Sequence, residues 1–423
     1  MLSAPVEVVL SALESARAGR FAEIREQFAP QLRPLLTPEA LEAGWNGELA
    51  RQGPITNVGA PVAEPAGTGA VVVKVAVTCE RGGFALIAPV TEQGQLAGLQ
   101  LAPLGAAEPI APWEPPPYAD PERFDEHEVS LGTDPLAVPG TLSLPHQRGP
   151  LPAVVLLAGS GSLDRDETIG RNKPLKDVAW GLATRGVAVL RFDKVTYAHA
   201  SEIQHADRFT LSDEYVPHAL AAFACLQRHP AIDAARIFLL GHSLGGTVAP
   251  RIAAAEPSVA GLILLAGGAQ PLHWVLVRQF TYLASLRPEN EAASRPVIER
   301  LTEQAKRIDA PDLTPSTPAS ELPLGAPASY WLDLRDYDPA ALAATLGKPM
   351  LILQGGRDYQ VTVADDLACW QAALSDHPEV TIRVYPECNH LFAPGSGPSS
   401  PAEYEPAQHV DARVIADVAQ WVL

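Results

Sequence analysis

The chain has 423 residues, 47% hydrophobic and 19% charged, a balance that excludes a disordered protein and favours two folded domains over one. A formal net charge of −18 supplies no basic track, which argues against nucleic acid and anionic membrane surfaces as partners. Four cysteines, Cys79, Cys225, Cys369 and Cys388, show no C-x-x-C spacing and read as reduced buried thiols rather than a metal or redox motif.

Near the start, Val6, Val9, Leu10, Leu13 and Ala16 recur at helical spacing, and Glu7 and Glu14 interrupt the apolar pattern. This predicts an amphipathic helix, not a signal peptide. No uninterrupted apolar run reaches the ~18 residues of a transmembrane helix, so no membrane span and a cytoplasmic location are expected. A second helix is predicted over 38–49, then strands over 55–62, 70–79, 84–89 and 96–101. Gly67-Thr68-Gly69 and Arg81-Gly82-Gly83 supply turns. Together these predict a small α+β domain over residues 1–105, an antiparallel sheet with helices on one face and no catalytic constellation. Dense proline over 106–122 predicts an extended linker.

The rest of the chain, 123–423, reads as one α/β domain. Residues 124–131 and 138–144 pattern as a hairpin turning at 132–135, at the edge of a larger sheet. Short apolar strands follow over 153–157, 187–192, 237–240, 262–265, 350–353 and 380–385. Helices are predicted between them over 175–184, 213–227 and 363–374. Near-continuous apolar strands alternating with helices indicate a mostly parallel, doubly wound sheet covered on both faces. From about 270 to 346 no strand is predicted, only helical and proline-rich sequence, which reads as a cap inserted over the strand ends.

Three of the predicted strands end at residues with reactive chemistry. Ile237-Phe238-Leu239-Leu240 feeds Gly241-His242-Ser243-Leu244-Gly245, a G-x-S-x-G turn that opens into a helix and pushes the Ser243 hydroxyl out over the sheet. Asp358 follows the 350–353 strand and His390 follows the 380–385 strand, in the order Ser, Asp, His that an α/β-hydrolase triad takes. Asp365 and Asp366 fall inside the next helix and are set aside. In this reading His390 takes the Ser243 proton and Asp358 fixes the imidazole tautomer. His242 is read as a turn residue packing beside Ser243, and Cys388 as a thiol notable only for lying two residues before His390. The developing oxyanion needs donors, each worth roughly 3 kcal/mol in the barrier. The Leu244 N–H is one candidate. The other is the Ser160 N–H in the small-residue loop Gly159-Ser160-Gly161 after the 153–157 strand. The charged run Asp164-Arg165-Asp166-Glu167 is expected to support that loop. In the cap, His273, Trp274, Phe280, Tyr282, Tyr330 and Trp331 are candidates for a pocket wall, although aromatic residues in a helical insertion more often form its core.

Gly159-Ser160-Gly161 with Asp164-Arg165-Asp166-Glu167, Leu190-Arg191-Phe192-Asp193-Lys194 and Tyr330-Trp331-Leu332-Asp333-Leu334 resemble one group of bacterial α/β-hydrolase carboxylesterases. So do the segment from Leu353 to Val361 and Asn389-His390-Leu391-Phe392. The likeness spans roughly 123–423. The first hundred residues resemble a small domain of unknown function often found ahead of such hydrolases. The resemblance implies the α/β-hydrolase fold and serine ester hydrolysis on a small-molecule ester, with no metal and no organic cofactor. It departs after Asp193-Lys194, where relatives carry an Arg-Gly turn and this chain has Val195-Thr196-Tyr197-Ala198-His199. The triad residues alone do not separate an esterase of small or medium acyl chains from an acyl thioesterase or an acyl-peptide hydrolase. A non-catalytic binding protein on the same scaffold is the remaining alternative. The N-terminal domain is open to positioning the cap, shielding the site or forming a homodimer.

Overall fold

Alternating burial builds the sheet of the first unit, Met1–Ala111. Five strands, β1 (Ile55–Val58), β2 (Val62–Pro65), β3 (Val71–Cys79), β4 (Gly82–Val90) and β5 (Gln100–Pro103), pair antiparallel in the order β1-β3-β4-β5, with β2 also on β3. Val73, Val75 and Val77 of β3 and Phe84, Leu86 and Ala88 of β4 point the same way, as a two-residue period requires. Helices Ser3–Arg17, Phe21–Gln27 and Pro38–Gln52 bury Val9, Leu13, Ile24 and Trp45 in the same core, where Trp45 meets Phe84 edge to face at 5.4 Å. Two details differ from the expected pattern. The predicted strand over 55–62 is broken at Gly59-Ala60-Pro61, because proline has no N–H to give a ladder. The predicted strand over 96–101 begins only at Gln100, and Leu96 instead makes single bridges to Phe28 and Val90.

The computed structural model describes residues 3–423 except 31, 34–35, 66–69, 108–111, 205–207 and 287–290. The expected turn Gly67-Thr68-Gly69 and part of the expected linker lie outside the described residues. Within 106–122, the stretch from Pro112 belongs to the second unit, Pro112–Leu423, and is no free spacer. Its aromatic residues explain the difference. Trp113 packs on Trp180 at 5.0 Å and donates to Asp177 at 2.9 Å, and Tyr118 donates to the Val410 carbonyl at 2.8 Å.

In the second unit eight strands form one sheet: β6 (Phe124–Leu131), β7 (Val138–Pro145), β8 (Leu151–Leu157), β9 (Ala188–Phe192), β10 (Ile232–His242), β11 (Leu262–Leu265), β12 (Met350–Gly355) and β13 (Val380–Tyr385). Their spatial order is β13-β12-β11-β10-β8-β9-β7-β6. The hairpin β6–β7 is antiparallel and sits at one edge, β9 crosses over to lie between β8 and β7, and β8 to β13 run parallel. Every residue of β8 is buried, with Val155 and Leu157 in the core of one face and Val154 and Leu156 in the other. Successive residues on opposite faces, both covered by helices, account for the unbroken apolar runs in the sequence. Between β11 and β12 the chain forms the helices Leu272–Ser285, Glu291–Asp309, Ala328–Arg335 and Pro339–Thr345, and no strand among the described residues. No helix among the described residues is long and apolar enough to cross a membrane.

Candidate active site

The site begins at the end of β10. Ser243 joins that strand to the helix Leu244–Ala255 with φ +51° and ψ −118°, a conformation that a side-chain-bearing residue adopts only under strain. The turn is held by the Ser243 N–H donating to Leu265 at 2.9 Å and its carbonyl accepting from Thr247 at 3.0 Å. Glycine is required on both sides. A Cβ on Gly241 would collide with the Gly245 carbonyl, and one on Gly245 would lie 2.5 Å from the Leu157 oxygen.

Asp358 and His390 meet although 32 residues separate them. The His390 Nδ1–H donates to Asp358 Oδ2 at 2.7 Å, which leaves Nε2 as the nitrogen able to accept a proton. Asp358 is itself fixed. Its Oδ1 accepts from the backbone N–H groups of Gln360 and Val361 at 2.8 and 3.0 Å, and its Oδ2 also accepts from Gln354 Nε2 at 3.1 Å. The His390 loop is tied by the Asn389 side chain, which accepts from Leu391 and Ala393 N–H at 3.0 and 3.2 Å. Asp366 is engaged elsewhere. It is fully buried, accepts from the Ala269, Gln270 and Thr362 N–H groups, and pairs with Arg278 of the cap at 2.5 Å.

His242 does more than pack in the turn. Its Nδ1 lies 2.8 Å from Glu167 Oε1, its Nε2 lies 2.9 Å from the His390 carbonyl, and its ring is 4.8 Å from that of His390. Both nitrogens face oxygen acceptors, which an imidazolium satisfies at once and a neutral ring does not. Burial opposes the charge, but Glu167, the His390 carbonyl and Asp358 together hold His242 above the ordinary histidine value. Neither Glu167, 75 residues away, nor the second bond to His390 has a sequence signal beyond the G-x-S-x-G turn itself. Cys388 is buried, its thiol pushed up to about 12 by burial and by Asp411.

The loop after β8 passes the same turn. A Cβ on Gly159 would lie 3.2 Å from Ser243 Cβ, and the Gly159 N–H donates to Glu167 Oε1 at 2.9 Å. Gly161 turns the loop at φ +97°. The charged run behind it divides its contacts. Asp164 accepts from the Thr168 N–H and hydroxyl at 2.8 and 2.6 Å. Arg165 pairs with Asp193 at 2.9 Å and Glu128 at 2.7 Å, and Asp166 lies between Arg191 and Lys173 at 2.9 Å each. Burial alone would raise Asp166, but Arg191 and Lys173 hold it below the usual carboxylate range. Asp164 thus closes the loop on itself, while Arg165 and Asp166 anchor it to Glu128 of β6, Thr141 of β7 and Arg191 of β9.

Ser160, Ser243 and Leu244 line one cavity of about 70 Å³. The Leu244 N–H is the first of its helix and so has no intrahelical acceptor. The cap contributes Leu272, Val275, Leu276, Gln279, Leu334 and Tyr337 to the wall. None of the six aromatic cap candidates lines it. Trp331 and His273 are buried in the cap, Phe280 is exposed, and Tyr282 stacks on Tyr359. Tyr330 donates to Glu214, and Trp274 to Asp309. Aliphatic residues at one turn's spacing on the helix Leu272–Ser285 face the site instead, a pattern the sequence presents equally for any buried helix face. Among the described residues no cluster of three or more His, Cys, Asp and Glu side chains is arranged to hold a metal ion.

The strand order, the strained turn after β10 and the strand-end loops of β8, β12 and β13 define an α/β-hydrolase. Residues 169–393 match the family described as serine aminopeptidase, S33. The chain is 39% identical over 346 residues to Esterase EstD of Thermotoga maritima, covering 81% of this chain and 77% of that protein. It is also 28% identical over 157 residues to the 2,6-dihydropseudooxynicotine hydrolase of Paenarthrobacter nicotinovorans, covering 37% of this chain and 39% of that one. Among solved structures it is similar to Est1E from Butyrivibrio proteoclasticus, with 17% identity, a TM-score of 0.45, and 70% of this chain and 95% of that one covered. The chain belongs to the serine aminopeptidase S33 family of α/β-hydrolases.

Proposed function

We propose that this protein is a serine carboxylesterase that cleaves esters of small or medium acyl chain through an acyl-enzyme on Ser243. The observation that carries this reading is the 2.7 Å bond from His390 Nδ1 to an Asp358 held by three further donors, on loops beside the strained Ser243 turn. His390 Nε2 takes the hydroxyl proton as Ser243 Oγ attacks the ester carbonyl, and Asp358 stabilises the imidazolium. The Ser160 and Leu244 N–H groups receive the oxyanion. Collapse breaks the bond to the alcohol oxygen, which leaves with the proton from His390. Water then repeats the sequence on the acyl-enzyme and restores Ser243.

Esterase EstD, 39% identical over most of both chains, supports ester over peptide. So does the cavity wall. Among its described lining residues none is acidic or basic, whereas an aminopeptidase needs a carboxylate for the free α-ammonium of its substrate. The volume of about 70 Å³ is roughly half the ~150 Å³ that admits a benzene ring, which favours the short end of the acyl range. The test is turnover of nitrophenyl esters from acetate to octanoate, beside an acyl thioester and a blocked peptide, by the intact chain and its Ser243→Ala variant. Fast short-ester hydrolysis lost in the variant is expected. Retained hydrolysis in Ser243→Ala, or failure of a fluorophosphonate to modify Ser243, would refute the assignment.

A further inference from the structure

The peptide unit joining Gly159 to Ser160 is gripped by groups that the chemistry above does not use. The Gly159 carbonyl accepts from Lys194 Nζ at 2.8 Å, and the Tyr215 hydroxyl shares its one proton between that carbonyl at 2.8 Å and the Ala158 carbonyl at 2.9 Å, while the N–H of Gly159 donates to Glu167. Lys194 is 2% exposed, and its ammonium also lies 2.8 Å from Tyr215 Oη and 2.8 Å from Glu214 Oε1. All three of its donors are thereby spent inside the protein. A buried ammonium is costly unless paired, and Glu214 supplies the opposite charge. Glu214 is fixed in turn by Thr196 at 3.2 Å and by Tyr330 of the cap at 2.8 Å.

The direction of the grip matters. In a trans peptide the N–H points opposite to the carbonyl, so donors on the Gly159 oxygen turn the Ser160 N–H away from Lys194. Ser160 lines the cavity with Ser243, and Gly159 runs against the Ser243 Cβ. A loop of small residues, with Gly161 at φ +97°, offers little steric resistance to a flip of this peptide. The ammonium opposes the flip and, by polarising the carbonyl, makes the N–H on the same peptide a stronger donor.

We infer that Lys194, with Tyr215, is a positioning residue of the oxyanion hole, fixing and polarising the Gly159–Ser160 peptide from behind. The inference rests on the esterase reading of Ser243. It also gives a role to the segment that follows Lys194. Val195–Ala198 forms a helical turn that carries Thr196 to Glu214, and the Thr196 carbonyl accepts from Ser162 of the loop at 2.6 Å.

The experiment compares the full-length chain with Lys194→Met/Glu214→Gln, which removes the ion pair as a unit, and with the milder Tyr215→Phe. The readouts are kcat and KM on nitrophenyl butyrate, affinity for an alkyl trifluoromethyl ketone, and the thermal midpoint. The ketone forms a tetrahedral adduct with the serine and places an oxyanion in the hole. The double variant is expected to lose roughly 10²-fold in kcat with little change in KM, the scale of losing one oxyanion donor. Ketone affinity is expected to fall by the same factor. Tyr215→Phe is expected to lose at least about fivefold in both, since it removes the hydroxyl beside the Gly159 carbonyl and one acceptor of the Lys194 ammonium. In folded Tyr215→Phe, unchanged kcat, or a fall in kcat that ketone affinity does not follow, would overturn the inference while leaving Ser243 in place. Activity persisting in Ser243→Ala would instead remove the reading on which it rests.

Discussion

Asp358→Asn is the sharpest single test of the site, because the structure dictates which way the new amide must sit. Asp358 Oδ1 accepts from two backbone N–H groups, of Gln360 and Val361, at 2.8 and 3.0 Å. Placing an NH₂ there would oppose donor to donor twice, at a cost of about 1–3 kcal/mol for each unmet buried group. The amide oxygen therefore takes the Oδ1 position and the NH₂ takes that of Oδ2, facing His390 Nδ1 across 2.7 Å. Nδ1 must then accept, so the ring proton moves to Nε2, the nitrogen that has to receive the Ser243 proton. The fold is retained, since both backbone contacts at Oδ1 persist and only the Gln354 amide, 3.1 Å from Oδ2, is left donor to donor, but the base is in the wrong tautomer. A loss of ~10⁴ in kcat follows, about 5.5 kcal/mol in the barrier. Steady-state kinetics on nitrophenyl butyrate near pH 7.5, with circular dichroism to check folding, measures it. A folded Asp358→Asn retaining more than a tenth of wild-type kcat would refute the tautomer argument.

Three further outcomes follow from the same geometry. His242 has a folded-state value raised above the ordinary 6.5, with Glu167, His390 and Asp358 around it. The stability from its charge is therefore complete below pH 6.5 and is lost as pH rises through the raised value. Urea unfolding from pH 5.5 to 9 should show this decline. Glu167→Gln should flatten it and cost about 2 kcal/mol at low pH, the range of one charge-assisted bond; parallel pH profiles in the two proteins would contradict the imidazolium assignment. Gly159→Ala puts a methyl 2.8 Å from Glu167 Oε1 and 3.2 Å from Ser243 Cβ, so turnover should fall by at least ~10² with the fold retained. Near-normal turnover would show that the loop does not sit as described. Leu276→Phe fills part of the cavity wall and should lower kcat/KM for butyrate relative to acetate by about tenfold, since a methylene contact is worth 10–200-fold. An unchanged ratio would place the acyl chain elsewhere.

Much of the sheet is legible in the sequence, because a strand covered on both faces must be apolar throughout, as β8 and β11 are. The edge hairpin is equally plain, since β6 carries Asp125, Glu126, His127 and Glu128 at exposed positions of an edge strand. What escapes the sequence is whatever depends on partners distant along the chain. Glu167 reads as one more charge in an acidic run until the fold brings His242 and the Gly159 N–H to the same oxygen. Lys194 shows its reach only when Tyr215 and Glu214, about twenty residues on, are beside it. The cavity wall fails for another reason. Aromatic side chains draw attention by size, but Trp331 and His273 bury in the cap and leave leucine and valine at the opening.

The backbone at Ser243, at φ +51° and ψ −118°, sets reactivity against durability. Such a conformation costs about 1–3 kcal/mol, which only glycine escapes. Replacing Ser243 with glycine should therefore yield an inert protein that melts later than the active one, and a melting comparison of the two reads this directly. Breeding the chain for heat resistance alone would act against this turn early. Any durable working variant must draw its added toughness from other parts of the molecule, such as its helix caps, its surface and its N-terminal unit.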